Sequence, residues 1–324
     1  MIVIRWEGIF VLLQIAKRGL KEGLSLGWTL GKIIFPITIA VTILQYTPVL
    51  PWLIELVAPL MKVLGLPGEA AMPLILGNAL NLYAAIGAIV SFEFTVKEVF
   101  IMAMMLSFSH NLFIESALAH RVGVSWWLIS SLRISLAIVS ALVINFFWNG
   151  GSELAQYGLI SASEESFDTW WQIALHGVET ASIAVFQLLL IIVPLMLIMQ
   201  FLRELGWLDR LSQWFAPFTR MLGMKENTSF TLVTGLTIGL AFGAGVMIQA
   251  VEEDGVSRKD MLLALIFLVT CHAVVEDTVV FIPLGIPVWP LLVIRLTLAI
   301  ILTWAVALGF RFVEKRRREI EYEY

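Results

Sequence analysis

Of the ionisable residues inside apolar stretches of the sequence, where a membrane would normally exclude them, seven could do chemistry. In chain order they are His110, Glu115, Arg133, His272, Glu276, Asp277 and Arg295. Such residues are costly in hydrocarbon and typically mark a path for a solute or for protons. Imidazoles and carboxylates bind divalent transition metals, relay protons, or hydrogen-bond a polar organic solute together with Asn111. The candidate metal ligands are His110, His272, Glu115, Glu276 and Asp277, and the pattern does not choose among the three chemistries.

The two halves of the chain repeat each other. At a spacing of 162 residues, His110 corresponds to His272, Glu115 to Asp277, Arg133 to Arg295 and Gly77 to Gly239. Upstream the spacing is 158, as between Gly19 and Gly177, so we expect a four-residue insertion in the second copy near Glu226. A duplicated membrane bundle with polar residues in each half is typical of transporters, which bind their cargo where the repeats meet.

In each copy a predicted helical hairpin positions the acid and the arginine. Glu115 and Arg133 lie at equal separations from the predicted turn near Gly123, about 13 Å from it at the rise of an α-helix. They are therefore expected to form a buried ion pair, as are Asp277 and Arg295, and either pair could serve only to lock the hairpin.

The histidines are predicted to lie deeper in the bilayer than these ion pairs. His272 and Glu276 are four residues apart and share a helix face, as do Asn111 and Glu115. His110 and Glu115 are five apart, so they face one site only if the helix is broken between them.

The composition is that of an integral membrane protein. Of 324 residues, 59% are hydrophobic and only 14% are charged, which is too little polar surface for a soluble globule. Unbroken apolar runs favour helices over a closed barrel, so the predicted fold is all-α. The net charge of −4 argues against nucleic acid as a partner. With no catalytic or nucleotide-binding motif legible, the chain is not expected to be an enzyme and no cofactor is expected.

We expect two tandem pseudo-symmetric repeats of about four hydrophobic helices each. Eight apolar stretches are long enough to cross a bilayer: 23–46, 70–91, 98–119, 125–148, 178–202, 229–250, 261–282 and 287–312. The predicted organisation is an N-terminal interfacial helix at 1–22, a first membrane repeat at 23–148, a polar acidic linker at 149–175, a second membrane repeat at 176–312 and a basic-acidic tail at 313–324.

Charges near the ends of the chain place both termini in the cytoplasm of a multi-pass protein of the cell membrane. Four full crossings per copy would return the acidic linker to the cytoplasm, so one element per copy is expected to be re-entrant or broken. The glycine- and amide-rich segments 73–89 and 235–251 are the candidates, and their polar residues Asn78, Asn81 and Gln249 are predicted to line the solute path. Opposite Lys/Arg bias in corresponding segments favours inverted over parallel repeats.

Two repeated blocks resemble a known family. They run from PLILGNALNLYAAIGAI to SHNLFIESALAHRVG, and from GLTIGLAFGAGVMIQ to CHAVVEDTVVFIPLG. These blocks are similar to the membrane nucleoside recognition, or Gate, domain, which also resembles spore maturation membrane proteins and parts of ferrous-iron transport protein B and concentrative nucleoside transporters. The resemblance implies a helical membrane gate with a transport-related role, and relatives that handle iron or nucleosides leave the cargo open.

The sequence therefore predicts a transporter or gated permeation protein for a small polar, nucleoside-like solute or a divalent metal. Its partners are the lipid bilayer and that solute or metal ion, which would be cargo rather than a cofactor, and the chain could also form oligomers. The alternative is a membrane scaffold or partner subunit that transports nothing and whose buried His, acid and Arg residues are structural.

Overall fold

The computed structural model describes residues 2–159, 169–253 and 255–322. Within these ranges the regular structure is helical apart from one isolated β-bridge between Thr95 and Leu154. The α-helices are α1 (Ile2–Gln45), α2 (Val49–Val63), α3 (Ala71–Ala79), α4 (Leu82–Ile89), α5 (Val96–Ser109), α6 (Leu112–Arg121), α7 (Trp126–Phe147), α8 (Trp170–Glu204), α9 (Trp207–Met221), α10 (Ser229–Ile238), α11 (Leu240–Glu252), α12 (Arg258–Thr270), α13 (Glu276–Val279) and α14 (Val288–Tyr322). Short 3₁₀ turns lie at Gly68–Ala70, Glu226–Thr228 and Ile282–Leu284.

Fewer continuous membrane helices are present than the eight apolar stretches of the sequence. In the described part of the chain, five segments are long and apolar enough to cross a membrane: Val11–Gln45, Val96–Arg121, Trp126–Phe147, Trp170–Glu204 and Val288–Arg316. A sixth would combine Ile54–Val63 with Gly68–Ala79, which meet at a bend of 93°. The stretches 70–91, 98–119, 229–250 and 261–282 are each interrupted, because their glycines and polar residues end one helix and begin another.

The ends of the predicted domains also differ from the helix bounds. Residues 2–22, predicted as a separate interfacial helix, form the N-terminal half of α1, which continues unbroken to Gln45. The last residues of the predicted linker belong to α8, and the tail continues α14 to Tyr322. Linker residues 160–168 lie outside the described ranges.

The chain forms two compact units. Unit 1 comprises residues 1–112, 134–205 and 276–288, and unit 2 comprises residues 113–133, 206–275 and 289–324. In unit 2 a buried apolar cluster surrounds α12, with Leu263, Phe267 and Leu268 fully enclosed against residues such as Leu222 and Leu232. His272 lies two residues beyond the end of this buried helix.

In unit 1 the antiparallel pair α1 and α8 packs through a row of glycines. An added Cβ at Gly19 would lie 3.0 Å from the Cα of Leu197, and one at Gly23 would lie 3.0 Å from the Cα of Val193. Further along, Gly27 faces Leu189. Small residues at spacing four let two helix backbones approach closely, which drives association where lipid removes the hydrophobic effect. Sequence analysis did not single out this row.

Helix starts in the first half of the chain recur in the second half at one of two spacings. Helices α2, α3 and α4 begin at residues 49, 71 and 82, and α9, α10 and α11 begin 158 residues later, at 207, 229 and 240. Helices α5 and α12 begin 162 residues apart, at 96 and 258. The four-residue difference therefore falls between the starts of α11 and α12, where α11 has 13 residues against 8 in α4, and not near Glu226 as predicted.

Candidate functional site

In unit 1 the chain leaves helical conformation at His110, between α5 and α6. Helix α5 ends at Ser109, and Asn111 adopts a left-handed conformation with φ of 52°. The Asn111 N–H donates to the carbonyl of Gly77 at 2.8 Å, so the break is joined to α3. His110 is buried, and its Nδ1 lies 2.7 Å from the Leu106 carbonyl. In the neutral ring this contact makes Nδ1 the donor and leaves the Nε2 lone pair for another partner.

Unit 2 contains a break of the same kind after His272. Helix α12 ends at Thr270, and Ala273 has a φ of 41°. The Ala273 N–H donates to the Gly235 carbonyl at 3.0 Å, and His272 Nδ1 lies 2.8 Å from the Leu268 carbonyl. Gly235, rather than the predicted Gly239, thus occupies the position that Gly77 has in unit 1. Gly239 instead begins α11 with a φ of 86°.

The left-handed Ala273 predicts opposite effects for two substitutions. Because a Cβ in this conformation costs about 1–2 kcal/mol, Ala273→Gly should maintain or slightly raise the free energy of unfolding, whereas Ala273→Val should lower it by about 1–3 kcal/mol. Thermal unfolding midpoints in detergent measure both effects. Equal midpoints for the Gly and Val variants would show that this position is not held left-handed.

Four of the predicted residues form a buried network in unit 2. Arg133 lies 2.8 Å from Glu115 Oε2, and His272 Nε2 lies 3.5 Å from Glu115 Oε1. Arg295 donates to the backbone carbonyl of His272 at 2.7 Å. Both arginine side chains are fully buried, and Glu115 and His272 are 3% and 2% exposed. Glu115 therefore lies between a permanent cation and an imidazole, and the His272 ring can take up or release a proton beside this carboxylate.

In unit 1 the structure brings His110 and Asp277 together with Glu276 nearby in the chain. A ligand atom of His110 and one of Asp277 lie within 4.8 Å of each other. Asp277 is buried, and Glu276 accepts a hydrogen bond from the hydroxyl of Tyr83. Tyr83 is a residue that sequence analysis missed as a site candidate, although it lies in the glycine- and amide-rich segment singled out as broken.

The three amides predicted to line the path have local partners. Asn81 is the N-cap of α4 and accepts from the Ala84 N–H at 3.0 Å, and Asn78 donates to the Leu74 carbonyl at 2.6 Å. Gln249 is exposed near the end of α11, where it donates to Glu253 at 2.8 Å. Asn78 and Asn81 thus flank the break between α3 and α4, whereas the contact of Gln249 lies at the end of α11.

A family model described as Gate, nucleoside recognition, matches residues 27–123 and 185–287. The chain belongs to this family. An uncharacterized membrane protein, YvoD of Bacillus subtilis (strain 168), is 60% identical over 289 residues, which are 89% of this chain and 93% of that protein. The Gate matches contain both histidines and the three carboxylates, whereas Arg133 and Arg295 lie just beyond them.

Proposed function

We propose that this Gate family protein is a membrane transporter or gated permeation protein for a small polar solute. The observation that supports it is the break at each buried histidine, where one helix ends and the next begins after a left-handed residue, which this proposal places at membrane depth. Non-helical backbone at that depth is tolerated where it lines a cavity or is buried in protein, and broken helices carry the binding sites of many transporters. The cargo is a nucleoside-like solute, or a divalent metal bound by imidazole and carboxylate.

We further infer that the two copies are inverted repeats. Helices α1 and α8 correspond at a spacing of 158 residues, and they pack against each other antiparallel through the contacts of Gly19 and Gly23. Corresponding helices that run in opposite directions are what an inverted repeat requires.

An inverted arrangement requires an odd number of membrane crossings in each copy. Three crossings in the first copy, Val11–Gln45, Val96–Arg121 and Trp126–Phe147, would take the chain from the cytoplasm to an external linker. The second copy contains two such segments, Trp170–Glu204 and Val288–Arg316, and the broken α12 and α13 segment, at the position of Val96–Arg121, would have to be its third crossing. Both termini would then be cytoplasmic, as the charge distribution predicts. The short helices α3 and α4 would then form a re-entrant element instead of a crossing.

Within this proposal, Glu115 and His272 hold the coupling proton. Their contact is buried and next to Arg133, so protonation of the imidazole changes the charge of a site that has little solvent. Arg133 would keep the carboxylate in place through the cycle. His110, Asn111, Glu276 and Asp277 would bind the solute at the other break.

Uptake into proteoliposomes tests the proposal. Radiolabelled nucleosides and divalent metal ions are offered with and without a pH gradient, and His110→Ala and His272→Ala should each reduce uptake at least about ten-fold, the typical effect of removing a positioned proton-transfer or binding group. The exposed His120→Ala variant is the matched control. Full uptake in both His110→Ala and His272→Ala would contradict the assignment of these residues.

One observation favours the second candidate function, a membrane scaffold or partner subunit. Arg133 and Glu115 form an ion pair with almost no exposure, and such a pair can lock a hairpin without binding anything. A screen for ligand-induced stabilisation separates the candidates, because only a ligand that binds the native state raises the unfolding temperature. The first measurement is the metal content of the purified protein, since a stoichiometric transition metal would favour a divalent metal as the cargo.

A further inference from the structure

Unit 1 contains a cavity of about 870 Å³ at the end of the α1 and α8 pair. The C-terminal end of α1 and the first turns of α8 form one side, and the segments 90–94 and 154–158 form the other. None of the seven ionisable residues discussed above lines it. Its volume lies within the range of sites that enclose a small organic molecule, about 300–1,000 Å³.

Hydrogen bonds fix the wall that the linker contributes. The Phe94 N–H donates to the Tyr157 hydroxyl at 3.3 Å, and the Ala155 N–H donates to the Phe94 carbonyl at 2.9 Å. On the other side, Gln187 of α8 donates to the Tyr157 carbonyl at 3.2 Å and accepts from the Leu159 N–H at 2.7 Å. Gln187 is 8% exposed, so this buried amide joins the linker to a membrane helix. The cavity therefore has a preformed wall.

The charge of the described lining is negative. Glu69 and Glu93 both line the cavity, and the lining residues that the structure describes include no Lys or Arg. Residues 154–158 of the linker supply one wall, and the sequence from 149 to 168 also contains no Lys or Arg. A low-dielectric concavity lined by charges of one sign raises the local concentration of oppositely charged ligands.

The remaining lining suits a flat ring. Phe92 and Phe94 are buried beside the cavity, and Tyr46 and Tyr157 add two phenols. Burial raises the pKa of Tyr157 and that of Tyr46, so both hydroxyls remain neutral. Aromatic faces attract a cation or stack on a ring, and the neutral hydroxyls fix its orientation.

We propose that this cavity binds a small organic cation that carries a flat ring. Glu69 and Glu93 neutralise the cation, and Phe92 and Tyr46 contact the ring. The proposal goes beyond the proposed function, because binding here can be measured whether or not the protein transports anything.

The test uses tryptamine and tryptophol, which share an indole ring and differ in an ammonium or a hydroxyl group. Full-length protein in phosphatidylcholine nanodiscs is titrated calorimetrically with each, and empty nanodiscs are subtracted. We expect saturable binding of tryptamine at least about ten-fold tighter than that of tryptophol, equivalent to about 1.4 kcal/mol. Absence of saturable tryptamine binding, or equal affinity for the two compounds, would overturn the proposal.

Variants locate the site. Glu69→Gln should weaken tryptamine binding about ten-fold, because it removes a half-buried carboxylate, and Glu93→Gln should weaken it less, because Glu93 is exposed. Glu55→Gln is the matched control, since Glu55 is exposed on α2 and does not line the cavity. Unchanged affinity in both cavity variants would place the binding elsewhere and contradict the assignment. His110→Ala and His272→Ala should retain binding here even if they abolish uptake, which separates this proposal from the transport proposal.

Discussion

Replacing Glu115 with Gln is expected to lower the free energy of unfolding by about 3–5 kcal/mol, the typical cost of removing one partner of a buried ion pair. The Arg133 side chain is fully buried 2.8 Å from Glu115, so the variant leaves a guanidinium charge inside the protein without its counterion. Chemical or thermal unfolding in detergent, followed by circular dichroism, measures the loss.

A double variant separates the value of the pair from the cost of an orphaned charge. Glu115→Gln combined with Arg133→Met removes both charges, and we expect it to recover most of the stability that the single variant loses, since well-packed apolar replacements of buried ion pairs are often neutral. Glu179→Gln on the exposed surface of α8 is the control and should change stability by less than about 0.5 kcal/mol. A single variant as stable as this control would mean that Arg133 is not paired with Glu115.

The same variants distinguish the two candidate functions. If the Glu115 to His272 contact carries the coupling proton, the double variant should remain folded yet lose the dependence of uptake on a pH gradient. If the network is only structural, the double variant should transport or bind partners as the native protein does. The double variant thus separates stability from function, because it removes both buried charges and leaves neither one unpaired.

Several features of the site were predictable from spacing alone. The pairing of Glu115 with Arg133 followed from their equal separation from the turn, since helical rise fixes depth in a hairpin. His110 and Glu115 are five residues apart and could face one site only if the helix is broken between them. The structure contains a break at Asn111. The density of Gly and Asn in 73–89 similarly predicted the interruption of that segment at Asn81.

Other features could not be read from sequence, because they depend on tertiary contacts. A left-handed Ala273 is disfavoured locally and is held by the hydrogen bond of its N–H to Gly235. Hydropathy likewise does not distinguish one continuous span from two short helices whose ends are satisfied by a neighbouring segment, which is why the eight apolar stretches exceed the number of continuous membrane helices. The hydrogen bond of Gln249 to Glu253 has the spacing of one helical turn, whereas that of Tyr83 to Glu276 joins distant segments that no spacing rule connects.

The α1 and α8 pair was missed for a related reason. Helical spacing of glycines is visible in sequence, but the helix that receives them lies more than 150 residues away and has no matching motif. Two ion pairs flank the contact, Arg18 with Glu204 at 2.6 Å and Arg203 with Glu22 at 3.8 Å. Their side chains are partly exposed, and such pairs are worth about 1 kcal/mol or less. Close packing at the glycines is therefore the larger contribution.

Gly23→Leu is accordingly expected to lower the free energy of unfolding by about 1–3 kcal/mol or more, the cost of overpacking a tight contact. A Cβ at this position would lie 3.0 Å from the Cα of Val193, and because backbone has no rotamer to change, the two helices would have to separate. Gly309→Leu is the matched control: Gly309 lies in α14 with no atom within 4 Å of an added Cβ, and its exposed side should accept Leu with a gain of about 1 kcal/mol from helix propensity. Unfolding midpoints of the two variants in the same detergent should therefore move in opposite directions. A loss at Gly309 equal to that at Gly23 would show that both helices tolerate no larger residue for reasons unrelated to the α1 and α8 contact.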